Sequence, residues 1–77
     1  MWEAVISNFV DEEHIGMVTK VCEDISKKDE SFKFKKRGME IILMGSDRNK
    51  VARKASWLIH KADPLSKIVY KMEEVKE

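Results

Sequence analysis

The sequence predicts a single α+β domain covering residues 1–77, with strands and helices in the order β-α-β-β-α and a further helix at the tail. Three observations predict it. Seventy-seven residues hold apolar side chains for one core and leave too few for a second. Short runs rich in β-branched and aromatic residues alternate with segments whose apolar residues recur at helical spacing. A glycine turn, Arg37-Gly38, separates two of the strand-like runs and makes them a hairpin.

Residues 3–10, EAVISNFV, are short and β-branched, as a strand requires. Asp11 then offers a helix N-cap, with Glu12 and Glu13 in the first turn, where the helix dipole favours anions. Ile15, Val18, Cys22 and Ile25 follow at helical spacing, flanked by Met17 and Val21, and place a helix over about 12–28. Phe32 and Phe34 alternate with Lys33 and Lys35, the pattern of a half-buried strand, and residues 39–44, MEIILM, form a strand that is apolar on both faces. Gly45-Ser46-Asp47 ends the hairpin and caps a second helix, whose core stripe is Val51, Ala55, Leu58 and Ala62.

Residues 65–76 satisfy two patterns. Leu65, Ile68, Val69, Met72 and Val75 form a helical stripe, and Asp63-Pro64 makes a good N-cap and first helical position, because proline lacks only an N–H that is not needed there. That reading is preferred. Ile68, Tyr70 and Met72 also alternate as a strand would, giving the alternative, a ferredoxin-like β-α-β-β-α-β order. With the tail helical, a right-handed crossover through the first helix leaves the first two strands parallel with room for the third between them. The expected sheet is then three-stranded and antiparallel-mixed, in the order 1-3-2, with the helices on one face. Its other face would present Val5, Ser7, Ile42 and Met44 beside Lys33, Lys35 and Arg37, a mixed apolar surface suited to an interface.

Composition narrows the functional classes. Cys22 is the only cysteine, so no disulfide forms within the chain, and an unpaired thiol fits a reducing, cytoplasmic setting. No apolar run approaches the ~20 residues of a membrane span, and MWEAVISNFVD has no basic region of the kind that opens a signal peptide. A domain this small buries only about 60–65% of its unfolded surface, so a partner subunit is the available source of further stability. The net charge of +1 conceals a strong asymmetry. Residues 1–32 sum to −5, residues 33–61 to +7 and residues 62–77 to −1.

Catalytic groups are sparse. His14 and Cys22 lie eight positions apart and His60 stands alone, so no metal-ligand spacing is present, and neither a metal nor a cofactor is expected. Cys22 on an apolar stripe reads as a small core residue. Ser7 and Ser46 have no nucleophile signature around them. Glu12, Glu13, Glu23 and Asp24 read as a solvated helix face, and Gly45-Ser46-Asp47 lacks the glycine spacing and lysine of a phosphate loop. The chain is therefore not expected to be an enzyme.

The basic stretch is the strongest functional signal. Lys33, Lys35 and Arg37 share one strand face, and Lys50, Arg53 and Lys54, with Lys61, decorate the second helix. Together they could neutralise the phosphates of RNA. Lysines on an edge strand equally serve to keep it from aggregating. The inner strands of the expected open face carry no aromatic residue, so bases would not be stacked there, and no GXXG loop occurs. Trp57, just off the core stripe, is either an interface anchor or a packing residue at the rim of the core.

The element order, together with three stretches, resembles the small dimerising subunit of the KEOPS complex, which installs threonylcarbamoyladenosine on transfer RNA. Phe34-Lys35-Lys36-Arg37-Gly38-Met39-Glu40-Ile41-Ile42-Leu43 is similar to that family's hairpin. Arg53 through Ser56-Trp57-Leu58 is similar to its second-helix pattern, with Ala55 where the family has asparagine and the arginine two residues nearer. Lys67-Ile68-Val69 through Met72-Glu73-Glu74 is similar to its C-terminal helix, although Pro64 interrupts what is usually one long helix. The resemblance implies a non-catalytic homodimer that bridges larger catalytic subunits and helps to hold transfer RNA, with ATP and metal left to those partners. The expected self-contact is then the sheet face, with Val5, Ile42 and Met44, or the second-helix side, with Trp57. The alternative is a free-standing nucleic-acid-binding domain that uses the basic hairpin and second helix.

Overall fold

The computed structural model describes residues 1–65 and 67–76. Its elements are β1 (Trp2–Ser7), α1 (Glu12–Lys28), β2 (Lys33–Arg37), β3 (Glu40–Gly45), α2 (Arg48–Ala62) and β4 (Val69–Glu74). The strands form one sheet in the order β2-β3-β1-β4, and every neighbouring pair is antiparallel.

Both helices begin where their caps dictate. The Asp11 carboxylate accepts the His14 N–H at 2.8 Å, with Glu12 and Glu13 in the first turn of α1 and Lys27 and Lys28 in its last. These charges complement the helix dipole at both ends. Asp47 caps α2 by accepting the N–H groups of Asn49 at 2.9 Å and Lys50 at 3.2 Å. Gly38 turns the hairpin in the left-handed region, φ 59°. Gly45 is required for a different reason: a Cβ there would stand 2.7 Å from Cγ2 of Val51, so its absence lets α2 seat on the end of β3.

The core lies between the sheet and both helices. Ala4 and Ile6 of β1 and Ile41 and Leu43 of β3 meet Ile15, Val18 and Cys22 of α1 and Val51, Ala55 and Leu58 of α2. Phe32 and Ile68 close it at the ends of β2 and β4. The predicted stripes of both helices are thus the buried ones, with Ile25 and Ala62 packed at the margin.

The tail corrects the preferred reading. Among the described residues the tail forms no third helix; Val69–Glu74 is a fourth strand added outside β1 to the expected 1-3-2 order, the sheet is antiparallel throughout, and the element order is β-α-β-β-α-β. Asp63 is the C-cap of α2, its N–H donating to Ile59 O at 2.9 Å, and not the N-cap of another helix. A helical stripe would have buried Leu65 and Val69, yet Leu65 is 95% exposed and Val69 more than half exposed. Alternation holds instead, with Ile68 in the core and Met72 packed against it. The physical reason lies in β1. Its edge away from β3 pairs with β4 through Ala4↔Met72 and Ile6↔Tyr70, which satisfies backbone groups that a helical tail would leave open.

Candidate interaction surfaces

Strand alternation sets the six predicted phosphate-binding residues on two different sides of the domain. Ile41 and Leu43 face the helices, so Ile42 and Met44, with their cross-strand partners Lys35 and Lys33, face the other way. Lys50, Arg53 and Lys54 belong to α2, on the helical side. Lys33, Lys35 and Arg37 therefore do not form one patch with the cations of α2.

The sheet face is charged but nearly balanced. Lys33, Lys35, Arg37 and Lys71 share it with Glu3, Glu40 and Glu73. Arg37 bonds Glu40 at 3.1 Å, and the Lys35 ammonium lies 3.8 Å from Glu3. The second pair explains an unexpected burial. Lys35 is on β2 and Glu3 on β1, so the Lys35 stem must cross over β3, which lies between them. Ile42 beneath it is 0% exposed and Val5 only 7%, although no helix covers that face. The open apolar surface expected around Val5, Ile42 and Met44 is thus roofed by the chain's own charged side chains.

The helical side differs. Between Arg48 and Ala62 there are five Lys or Arg residues and no Asp or Glu. Lys50, Lys54, Trp57 and Lys61 fall at i, i+4, i+7 and i+11, on one exposed stripe of α2. Trp57 is half exposed, with the Lys61 ammonium 5.5 Å from its ring centroid. It stands at the side of a groove of about 400 Å³ between α1 and α2, whose floor is Phe32 and Ile25 and whose rim carries Asp24, Lys28, Asp29, Lys54 and Lys61.

One end of this groove is held by a side-chain chain. Lys54 Nζ donates to the Ser31 hydroxyl at 3.1 Å, and that hydroxyl donates to Asp29 Oδ1 at 2.6 Å. The Ser31 hydroxyl and backbone N–H together hold the Asp29 carboxyl below its usual range, with the Lys54 charge adding to this. At α2's other end, Arg48 stacks over Trp2 at 5.4 Å and ties β1 to the start of the helix. Neither contact was visible in the sequence, because each joins residues far apart in the chain.

The groups with chemical potential are occupied structurally. Cys22 is fully buried, and burial pushes its thiol pKa up to about 12. His14 Nδ1 accepts the Val10 N–H at 3.1 Å, so its proton sits on Nε2, which faces Asp63 Oδ2 at 3.1 Å. Both imidazole nitrogens are thereby engaged, Nδ1 with the loop before α1 and Nε2 in tying the start of α1 to the end of α2. Among the described residues, no group of three or more His, Cys, Asp or Glu comes together to hold a metal, and no helix is long and apolar enough to cross a membrane.

Fold and surface together define a small two-layer α+β domain with a basic, tryptophan-bearing helix. No family model, curated protein or solved structure matches the chain.

Proposed function

We propose that this chain is a non-catalytic assembly module that docks a larger protein subunit on the exposed stripe of α2. The observation carrying this reading is Trp57. It is a half-exposed indole beside an apolar groove, on a helix stripe shared with Lys50, Lys54 and Lys61. Tryptophan is one of the residue types on which binding energy concentrates at interfaces. The partner surface that fits is an apolar side chain for the groove, flanked by carboxylates for Lys50, Lys54 and Lys61.

A KEOPS-like transfer-RNA modification assembly, in which the chain dimerises and bridges larger subunits, is the particular setting that the resemblance supports. That support rests on Phe34–Leu43 and Arg53–Leu58, since the stretch matched to the family's C-terminal helix is β4. The second reading, a free-standing nucleic-acid-binding domain, is favoured by the five cations of α2, a helix with no carboxylate of its own. The sheet face contributes little to it, because Glu3, Glu40 and Glu73 offset Lys33, Lys35 and Arg37.

Site-specific photocrosslinking in the source cell separates the two readings. A crosslinker at position 53, one turn of α2 before Trp57, should give a discrete protein adduct larger than the chain itself, and one at position 35 should not. Nuclease-sensitive adducts from position 53 would replace the assembly reading with the nucleic-acid one. Adducts from position 35 alone would refute contact through α2 in either reading.

A further inference from the structure

β4 ends the sheet, and no described strand pairs with its outer side. An open strand edge is a template for another strand unless the sequence prevents it. The two ends of this sheet differ in that respect. β2 reads Lys33-Phe34-Lys35-Lys36-Arg37, so two copies of it would set cation against cation. β4 reads Val69-Tyr70-Lys71-Met72-Glu73-Glu74, with both signs of charge and with Val69 and Tyr70 exposed. Within one chain its charges are poorly matched. Glu73 stands directly across from Glu3, a like charge, and Lys71 stands across from Val5. Among the described residues neither Lys71 nor Glu73 makes an ion pair.

We infer that the outer edge of β4 pairs antiparallel with β4 of a second copy, about a two-fold axis at Met72, joining the two sheets into one continuous sheet. The register follows from the side chains. A two-fold perpendicular to the sheet keeps each face on its own side, so the axis must pass through a residue and not between residues. Centring it on Lys71 sets the two lysines against each other, and centring it on Glu73 does the same with two carboxylates. Centring it on Tyr70 leaves both Lys71 charges opposite Val69. With the axis at Met72, Lys71 meets Glu73 of the second copy, twice by symmetry, Tyr70 meets Glu74, and Val69 meets Val75. Val75 is positioned for this, because its N–H donates to Met1 O at 2.8 Å and so continues the ladder beyond β4. The like-charge contact of Glu73 with Glu3 is then offset by a cation from across the seam.

The inference rests on the assembly reading and names its self-contact, leaving Trp57 to the larger partner. Sedimentation of the whole chain through the micromolar range should show a species of twice the 9.0 kDa chain mass. Lys71→Glu and Glu73→Lys should each weaken dimerisation by about tenfold or more, because each creates two symmetric like-charge contacts. The double variant Lys71→Glu/Glu73→Lys should restore it. Glu73→Lys also relieves the contact with Glu3, so its loss of dimer cannot come from a weakened monomer, and circular dichroism checks the fold of Lys71→Glu. Trp57→Ala should leave the dimer intact while abolishing the crosslinked larger partner, which separates failure of this proposal from failure of the assembly reading. A 9.0 kDa monomer throughout the range overturns the inference. So does a dimer indifferent to the single exchanges, or a double variant no better than the singles.

Discussion

Ile41 and Ile42 are adjacent, chemically identical and both 0% exposed, yet truncating them should cost different amounts. Ile41 faces the helices and belongs to the packed core, whereas Ile42 lies on the sheet face under the stem of Lys35. Replacing either by Ala removes three carbons, about 2.4 kcal/mol of transfer free energy at ~0.8 kcal/mol each. At Ile41 the surrounding helices and strands relax only partly, so a cavity term adds to this and the total should reach about 3–5 kcal/mol. At Ile42 the roof is flexible and half solvated, so Lys35 and its neighbours can settle into the gap, and the cost should stay near 2–2.5 kcal/mol. Urea unfolding followed by tryptophan fluorescence reads the difference. With a slope of about 1 kcal/mol per M, the two midpoints should differ by about 1–2 M. A total stability of roughly 4–12 kcal/mol leaves both measurable, and Ile→Val variants scale the comparison down if Ile41→Ala falls below threshold. If Ile42→Ala proves as costly as Ile41→Ala, the reasoning fails, because a rigid layer must then cover the sheet face. A cost at Ile42 that grew with protein concentration would identify that layer as a second copy, and would place the self-contact on the sheet face.

Three further outcomes follow from the same geometry. Cys22, with its pKa raised from 9.0 to about 12, should resist alkylation at pH 8 except through unfolding; because the unfolded thiol ionises first, stability should fall by up to about 1.4 kcal/mol per pH unit as pH rises from 9 toward 12. Gly45→Ala should cost about 1–3 kcal/mol through its contact with Val51, and pairing it with Val51→Ala should cost less than the sum of the two, a non-additivity that a double-mutant cycle measures. If single-stranded RNA binds at all, four contacts along α2 predict a log–log salt slope of roughly −3; Lys50→Ala/Arg53→Ala/Lys54→Ala should flatten it, whereas Lys33→Ala/Lys35→Ala/Arg37→Ala should leave it nearly unchanged, and the reverse pattern would reassign the contacts to the sheet.

What could be read from the sequence was whatever local spacing encodes. Both helices, their caps at Asp11 and Asp47 and their buried stripes were legible, because each is a pattern within a few turns. The hairpin was legible from Gly38 and from the doubly apolar run MEIILM. β4 was misread because residues 65–76 satisfy both periods, and Asp63-Pro64 suits the end of one helix as well as the start of another. The deciding signal lay elsewhere, in β1. Ala4, Val5 and Ile6 are consecutive apolar residues, which an edge strand with one wet face does not need. The Lys54–Ser31–Asp29 chain and the His14–Asp63 contact had no such signal, since they are set only when the α1–β2 turn meets α2 and when the two helix ends meet.

Linear charge also proved a poor guide to surface charge, for a definable reason. The +7 stretch contributes a strand and a helix that lie in different layers, so its cations part company on folding. Of those on β2, Lys35 and Arg37 meet glutamates delivered by β1 and β3, and the Lys35 stem roofs Ile42 and Val5. Those on α2 meet no carboxylate of their own helix and form no ion pair among the described residues. Matched surface charges contribute little to a new contact, because forming it requires breaking a pair already made. Unmatched charges carry no such cost. The α2 stripe around Trp57 and the β4 edge with Lys71 and Glu73 both meet this criterion and also expose apolar side chains. They lend themselves to different partners: the edge offers both signs in a self-complementary order and so favours a copy of itself, whereas α2 offers a single sign and therefore requires something else.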